Sequence, residues 1–481
     1  MTKIFVFTAI LTFIFSHALA QSAGNTCAAG QVSGPDANGD NLVCSGGVFV
    51  VGGTLKSINS LTDAAVSNTN MFIGHKGGAF GAQNQNNTSL GINALSHLDG
   101  TGTSTGGQRN TAVGANALYA NTSGYQNTGV GMGSLQNNTT GGNNTAVGDI
   151  ALYSNITGYG NTAIGASSLQ TNTTGHGNTA IGLNALLGNT IGYSNTALGS
   201  VAMYNNASGI YNTATGAQSL YNNTSGNYNT ANGMNALAGN TTGGDNVAVG
   251  WQSLLTNTTG NYNVSVGPAA MQNNTTGYQN TAIGGQALLG NTTGILNTAS
   301  GFNALAYNTT GWGNSGHGYQ ALIYNITGSQ NTAAGIQAGT FAADGVISNT
   351  TPNMSVFIGG YSKSLTSGSS NEIVIGYGAI GLGSNTVALG NNSIVTTALK
   401  GNVGIGTTSP TAKLDVAGIV SASALYSSGV AKLGRYPTQP VACGMGYDGM
   451  VALTSQNTLC VCSGSGSAWV KATDGTTACS W

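Results

Sequence analysis

From residue 110 onward the chain is written in a period of seventeen. Asn110 is followed by Asn127, Asn144, Asn161, Asn178, Asn195, Asn212, Asn229, Asn246, Asn263, Asn280, Asn297, Asn314 and Asn331, fourteen units without an insertion. The unit reads Asn-Thr-Ala-(Ile/Val)-Gly-x-x-(Ala/Ser)-Leu-x-x-Asn-Thr-Thr-Gly-x-x, as in 161–177, and its positions are numbered here from that first Asn. The same phase extends upstream through Gly91 and Gly74, with six extra residues before Asn110. Seventeen residues are too few for the helix pairs of helical solenoids. Gly at positions five and fifteen opposes helix, while the β-branched residues beside them favour short strands. The pattern therefore predicts an all-β, parallel β-solenoid with one coil per unit, Gly and Asn marking its corners.

Two inward ranks are expected. Position four holds Val113, Val130, Val147, Ile164, Ile181 and Leu198. Position nine holds Leu118, Leu135, Leu152, Leu169, Leu186, Leu220, Leu237, Leu254, Leu288, Leu305 and Leu322, with Met203 in the same rank. Thr215, Asn232, Ser300, His317 and Ala334 at position four mark coils where that core rank loosens. Two large apolar residues per coil make a thin core against the cost of ordering the backbone. Coil-to-coil hydrogen bonds, Asn ladders and a second or third chain are expected to add to it. At about 4.8 Å per coil, fourteen coils make a rod of roughly 65–70 Å. The small residues at positions three and eight leave flat faces for close approach of other chains, which predicts a parallel homotrimer.

The rest of the chain divides by rhythm. Residues 1–20 carry Lys3, an apolar run from Ile4 to Phe15 and Ala18-Leu19-Ala20, a secretory signal peptide too short to span a membrane. A Cys-containing module over 21–69 precedes the repeats of 70–347. Over 348–410 the step changes: Phe357-Ile358-Gly359 and Val374-Ile375-Gly376 keep seventeen, but Gly376 to Gly390 is a step of fourteen. A strand-and-loop connector over 411–434 leads into a Cys-rich module at 435–481.

Composition narrows the chemistry. Only 4% of the 481 residues are charged, with 10 Lys and Arg against 11 Asp and Glu, so no basic patch is available for nucleic acid or an anionic membrane. Asn, Thr and Ser must supply the hydrated surface, and the strict apolar period argues against disorder. The six cysteines lie outside the repeats. Cys27 and Cys44, Cys443 and Cys460, and Cys462 and Cys479 are each seventeen apart, the preferred disulfide pairs, although four C-terminal cysteines allow three connectivities. Cys460-Val461-Cys462 has one intervening residue, where zinc sites have two or more.

No catalytic constellation is expected, and no cofactor. Between Asn110 and Ala343 the only carboxylates are Asp149 and Asp245, 96 residues apart. A stacked rod separates these by more than about 25 Å, whereas paired-carboxylate hydrolysis needs roughly 5–10 Å. His176 and His317 are far from acidic partners in sequence, and Gly-x-Gly fragments such as Gly129-Val130-Gly131 open no helix. Asp36-Ala37-Asn38-Gly39-Asp40 reads as a turn, because Asn41 and Gly47 stand where a calcium loop wants Gly and Glu. Asn-x-Thr and Asn-x-Ser recur in nearly every coil, acceptors only in a host with glycosylation machinery.

The Asn-Thr-Ala-Ile-Gly coil resembles the head repeats of trimeric autotransporter adhesins of the YadA type. The fourteen-residue step from Asn371 to Gly390 is the nearest match. Gly404-Ile-Gly-Thr-Thr-Ser-Pro410 with Leu414-Asp-Val416 is similar to the segment of phage tail fibres that precedes a self-cleaving chaperone domain. The resemblance covers about residues 70–418 and implies a left-handed roll, a trimer and adhesion. It departs in its period of seventeen and in having no stalk, four-strand membrane anchor or self-cleaving domain, so autotransport does not carry over. The expectation is a secreted or cell-surface, non-enzymatic structural or adhesive rod, without membrane insertion, facing a host or environmental surface, glycan or protein. The competing expectation is an ice-binding or crystalline-surface-binding solenoid, from the Thr ranks at position two (Thr111, Thr128, Thr145, Thr162) and at positions thirteen and fourteen (Thr139-Thr140, Thr173-Thr174).

Overall fold

The structure, a computed structural model, describes residues 86–98 and 107–418 with their side chains. It also describes Ala478 and the backbone of Val32–Pro35, Asn41–Ser45, Val48–Gly52, Ala64–Ser67, Asn70–Ile73, Arg435–Tyr436, Val451–Thr454, Leu459–Ser463 and Ala468–Lys471. Positions two to four of each repeat form a three-residue strand, and successive strands pair in parallel at a step of seventeen. Thr162 lies beside Thr179, Ala163 beside Ala180 and Ile164 beside Ile181. One ladder of this kind runs from Asn70–Ile73 to Thr386–Leu389, a parallel β-solenoid of about sixteen turns. Ala64–Ser67 pairs antiparallel with its first strand.

The other fourteen residues of a coil are tight turns tied to the neighbouring coils rather than to themselves. Ser167 donates its N–H to the Asp149 carbonyl one coil back at 2.9 Å, and Leu169 donates to Ala185 one coil forward at 3.0 Å. This alternation requires left-handed backbone at positions seven and nine, with φ of 56° at Ser167 and 51° at Leu169. A leucine rarely accepts that conformation. Here each such residue gains a hydrogen bond and, at position nine, full burial. Gly165 at position five has φ +132°, and a Cβ there would strike the Gly182 carbonyl of the next coil.

The interior corrects the expected core. Position three is inside: Ala112, Ala146, Ala163, Ala180 and Ala197 are fully buried. Position four points out, with Ile164 39% and Leu198 45% exposed. The cause is the two-residue alternation of a strand. Asn161 at position one is buried, so positions one and three share the inner face and two and four the outer. The same observation removes the flat outward faces expected from positions three and eight, because Ala151, Ser168 and Ala185 are buried too. Each coil thus contributes one large apolar side chain to the core, not two, flanked by small residues and by the buried amides of Asn161 and Asn172.

The rod changes where its leucine rank ends. Gly339 occupies position nine after Leu322, and Phe357, fully buried at position three of the following coil, packs into the space that a side chain on Gly339 would need. Seven residues are inserted in the same coil, so Ala333 pairs with Phe357 at a step of 24, and Phe341 bridges Ser348 at the insertion. The last pairing, Val374 with Ala388, uses the step of fourteen. In the second compact unit, Thr396–Trp481, Val403–Ile405 pairs in parallel with Leu414–Val416. A separate four-stranded sheet joins Arg435–Tyr436, Val451–Thr454, Leu459–Ser463 and Ala468–Lys471.

Candidate binding faces

The surface of a coil is fixed by what its interior takes in. Two buried asparagines per coil converge on one carbonyl: Asn161 and Asn172 both donate Nδ2 to Gly175 O, at 2.9 and 3.0 Å. Each also bonds to its equivalent one coil back, Asn161 Nδ2 to Asn144 Oδ1 at 3.2 Å and Asn172 Nδ2 to Asn155 Oδ1 at 2.7 Å. Gly175 has no side chain because one would collide with these amides; its Cβ would stand 2.8 Å from Asn189 Nδ2. The hydroxyl at position thirteen is also spent on the rod. Thr173 donates to Thr190 O at 3.0 Å, and Thr258 to Thr275 O at 3.0 Å. The second Thr rank is therefore a structural one in its first member, while Thr174 and Thr140 at position fourteen stand exposed.

What remains outside forms lengthwise stripes. On the strand face, Thr162 and Ile164 point outward on either side of Ala163, and a Thr-and-aliphatic pair of this kind repeats in the coils from Thr111–Val113 to Thr196–Leu198. Across Gly at position five a third stripe carries large side chains, among them Met132, Leu183, Met234, Trp251 and Phe302, each about half exposed. His317, expected in a core rank, is exposed at position four of this face.

A further edge carries aromatic rings. Tyr159, His176 and Tyr193 stack at centroid distances of 4.7 and 4.9 Å with planes within 12°. Tyr211 then meets Tyr193 edge-on at 81° and stacks on Tyr228 at 5.2 Å. The edge-on step falls where the ring moves from position sixteen to position seventeen. Crowding there holds the Tyr193 phenol above its usual range, first by partial desolvation and then by the neighbouring Tyr211 phenol. Rings stacked along the rod present their edges to solvent, so this rank suits edge packing better than stacking on a ligand.

All eleven leucines of the position-nine rank from Leu118 to Leu322 are fully buried. Asp149 and Asp245 stand at positions six and seventeen of coils that begin at Asn144 and Asn229, five coils apart. Cys27, Cys443 and Cys479 lie outside the described residues. Cys44 lies on the backbone strand Asn41–Ser45 and Cys460 and Cys462 on Leu459–Ser463, with their side chains outside the description. Among the described residues no three His, Cys, Asp or Glu side chains group as metal ligands, and no helix is long and apolar enough to cross a membrane. Compared with protein-family models, curated proteins and solved structures, the chain matches none.

Proposed function

We propose that this chain is a secreted or cell-surface, non-enzymatic fibrous protein that acts as a structural or adhesive rod, assembled as a parallel homotrimer. The observation that carries the reading is the outward aliphatic rank at position four, in two runs from Val113 to Leu198 and from Val249 to Ile283, with large side chains such as Met132, Leu183 and Trp251 beside it at position six along a nearly uncharged rod. Contiguous apolar surface on this scale marks an interaction face. At about 4.8 Å per coil the two runs are roughly 29 Å and 14 Å long, two apolar patches on one face of the rod. The resemblance to YadA-type heads supports three chains, and the stripes left on the outside supply many weak, repeated contacts whose strength grows with their number.

A second reading rests on a different observation. The hydroxyl of Thr162 and its equivalents at position two makes no hydrogen bond to a described residue, so over the coils from Thr111 to Thr230, before Val247 and Val264 interrupt the rank, the strand face repeats a free hydroxyl, the kind of lattice that ice or a crystal surface could match. Two measurements on purified protein test the proposal. Binding to cells or immobilised glycans and matrix proteins, lost when the rod is dispersed to single chains, is the result expected. Thermal hysteresis with faceted ice crystals would overturn it in favour of the second reading.

A further inference from the structure

Aligning the coils at positions ten and eleven isolates one break in the rod's surface. The coil beginning at Asn212 carries Tyr221 and Asn222 there, and the coil beginning at Asn246 carries Leu255 and Thr256. The coil between them carries Ala238 and Gly239, and no other coil of the seventeen-residue series has a small residue at both positions. The missing side chains leave an open cavity of about 410 Å³ that spans the three coils. That is within the range of small-molecule sites, about 300–1,000 Å³.

Its walls are chemically specific. Tyr204 stacks on one face of Tyr221, with centroids 5.2 Å apart and planes 14° from parallel. Seventeen residues beyond Tyr221 the rank holds Ala238 instead of a ring, so the other face of Tyr221 looks into the cavity, with Leu255 beyond it. This is a ring face open to a ligand, which the mutually covered His176 lacks. Around it stand Gln218 and Asn235, whose side-chain amides make no hydrogen bond to a described residue. Asn222 lends its Oδ1 to Asn205 at 3.1 Å and keeps its own N–H groups. Thr256 donates its hydroxyl to Gln272 O at 2.9 Å and so faces the cavity as an acceptor. No charged side chain lines the site.

A ligand that fits has one flat C–H face, a rim of hydroxyls that both donate and accept, and no charge. Carboxamides match such a rim because each offers two donors and an acceptor. We infer that this cavity is a subsite for a neutral hexopyranose unit of a glycan, its C–H face laid on Tyr221 and its hydroxyls held by Gln218, Asn222 and Asn235. The inference deepens the adhesive reading and rests on it for its biological sense, but the two are tested separately.

Saturation-transfer NMR on the full chain with methyl β-glucopyranoside, methyl β-galactopyranoside and methyl α-mannopyranoside is the experiment. At least one glycoside is expected to receive saturation at its ring protons. The transfer should fall at least five-fold in Ala238→Tyr, which refills the rank with a residue found there in Tyr119, Tyr153 and Tyr204, and in Tyr221→Ala. Ala238→Gln, matching Gln136 and Gln170, fills the cavity by a second route should the tyrosine disturb folding. No transfer to any of the three glycosides, or transfer undiminished when the cavity is filled in a rod with an unchanged β spectrum, overturns the subsite. Surface binding by the unaltered chain with no transfer to any of the three glycosides overturns the subsite and leaves the fibre reading standing.

Discussion

Asn138 donates its side-chain amide to the side-chain carbonyl of Asn121, one coil back, at 2.8 Å. That bond repeats at position twelve from Asn121 to Asn325, and a parallel series at position one runs from Asn87 to Asn331. The interior of the rod is therefore polar along two lines and apolar along one. Every amide inside the run is satisfied by its equivalent in the next coil, and the exception stands where the run ends. Asn325 Oδ1 is buried without a partner: beyond the seven-residue insertion Asn349 takes the position-twelve place, but its Nδ2 donates to Gly339 O at 3.3 Å instead.

The ladder should be more sensitive in its middle than at its end. Asn172→Ala removes the acceptor of Asn189 Nδ2, at 2.7 Å, and the donor to Asn155 Oδ1, leaving buried groups unpaired at about 1–3 kcal/mol each. Asn325→Ala removes the Nδ2 bonds to Asn308 and Gly328 but also the orphaned oxygen, so it should cost less. Denaturant midpoints of the two variants check this, with the larger fall expected for Asn172→Ala.

The direction of the strand face is testable by charge. Leu169→Asp puts an unpaired carboxylate in a fully buried rank, at a cost of several kcal/mol, and should disrupt neighbouring coils. Ile164→Asp, on the outer face, should leave the β spectrum and the urea midpoint of the single rod nearly unchanged. Equal losses in circular dichroism would contradict the assignment of inner and outer positions.

The glycosylation sequons carry a consequence of the ladder. Asn172-Thr173-Thr174 is an acceptor by sequence, but Asn172 is fully buried and its Nδ2 already donates two hydrogen bonds. A glycan on that nitrogen cannot be accommodated in the coil. Expression through a glycosylating secretory pathway should give modified, unfolded chains, and a glycosylation inhibitor should restore folded rod. The check is intact mass combined with protease resistance.

Acid should loosen one loop before the rod. Asp344 accepts the N–H groups of Ile347 and Val346, each at 2.9 Å, and these bonds, with Lys363 nearby, hold its carboxyl below the ordinary 3.8. A depressed folded value means that the carboxylate's contribution is complete above the unfolded value and fades as pH falls through the folded one. Amide exchange at Val346 and Ile347 should therefore accelerate below about pH 4. In Asp344→Asn it should be fast and show no such step.

Much of this architecture was legible because the repeat is strict. The period places every strand, and burial of Leu169 follows from a large apolar residue returning at one position of every coil. The change of step is also readable, since Glu372 pairs with Thr386 at the fourteen-residue spacing of the sequence. The facing of Ala163 and Ile164 was not. Size suggested that Ile164 points inward, but the interior beside Asn161 and Leu169 is so narrow that Ala163 fills it. Nothing in one coil announces this, because it depends on what the asparagines do once stacked. The cavity at Ala238 and Gly239 shows only when coils are aligned and the gap is set against the ring of Tyr221.

The most direct test of the account is the mass of the full chain in solution, measured by multi-angle light scattering at micromolar concentration beside an Ile164→Lys/Ile181→Lys variant. The mass of three chains is expected for the unaltered protein, and that of a folded single chain for the variant, whose charges fall on the outer apolar rank. A single-chain mass with a full β spectrum in the unaltered protein would contradict it.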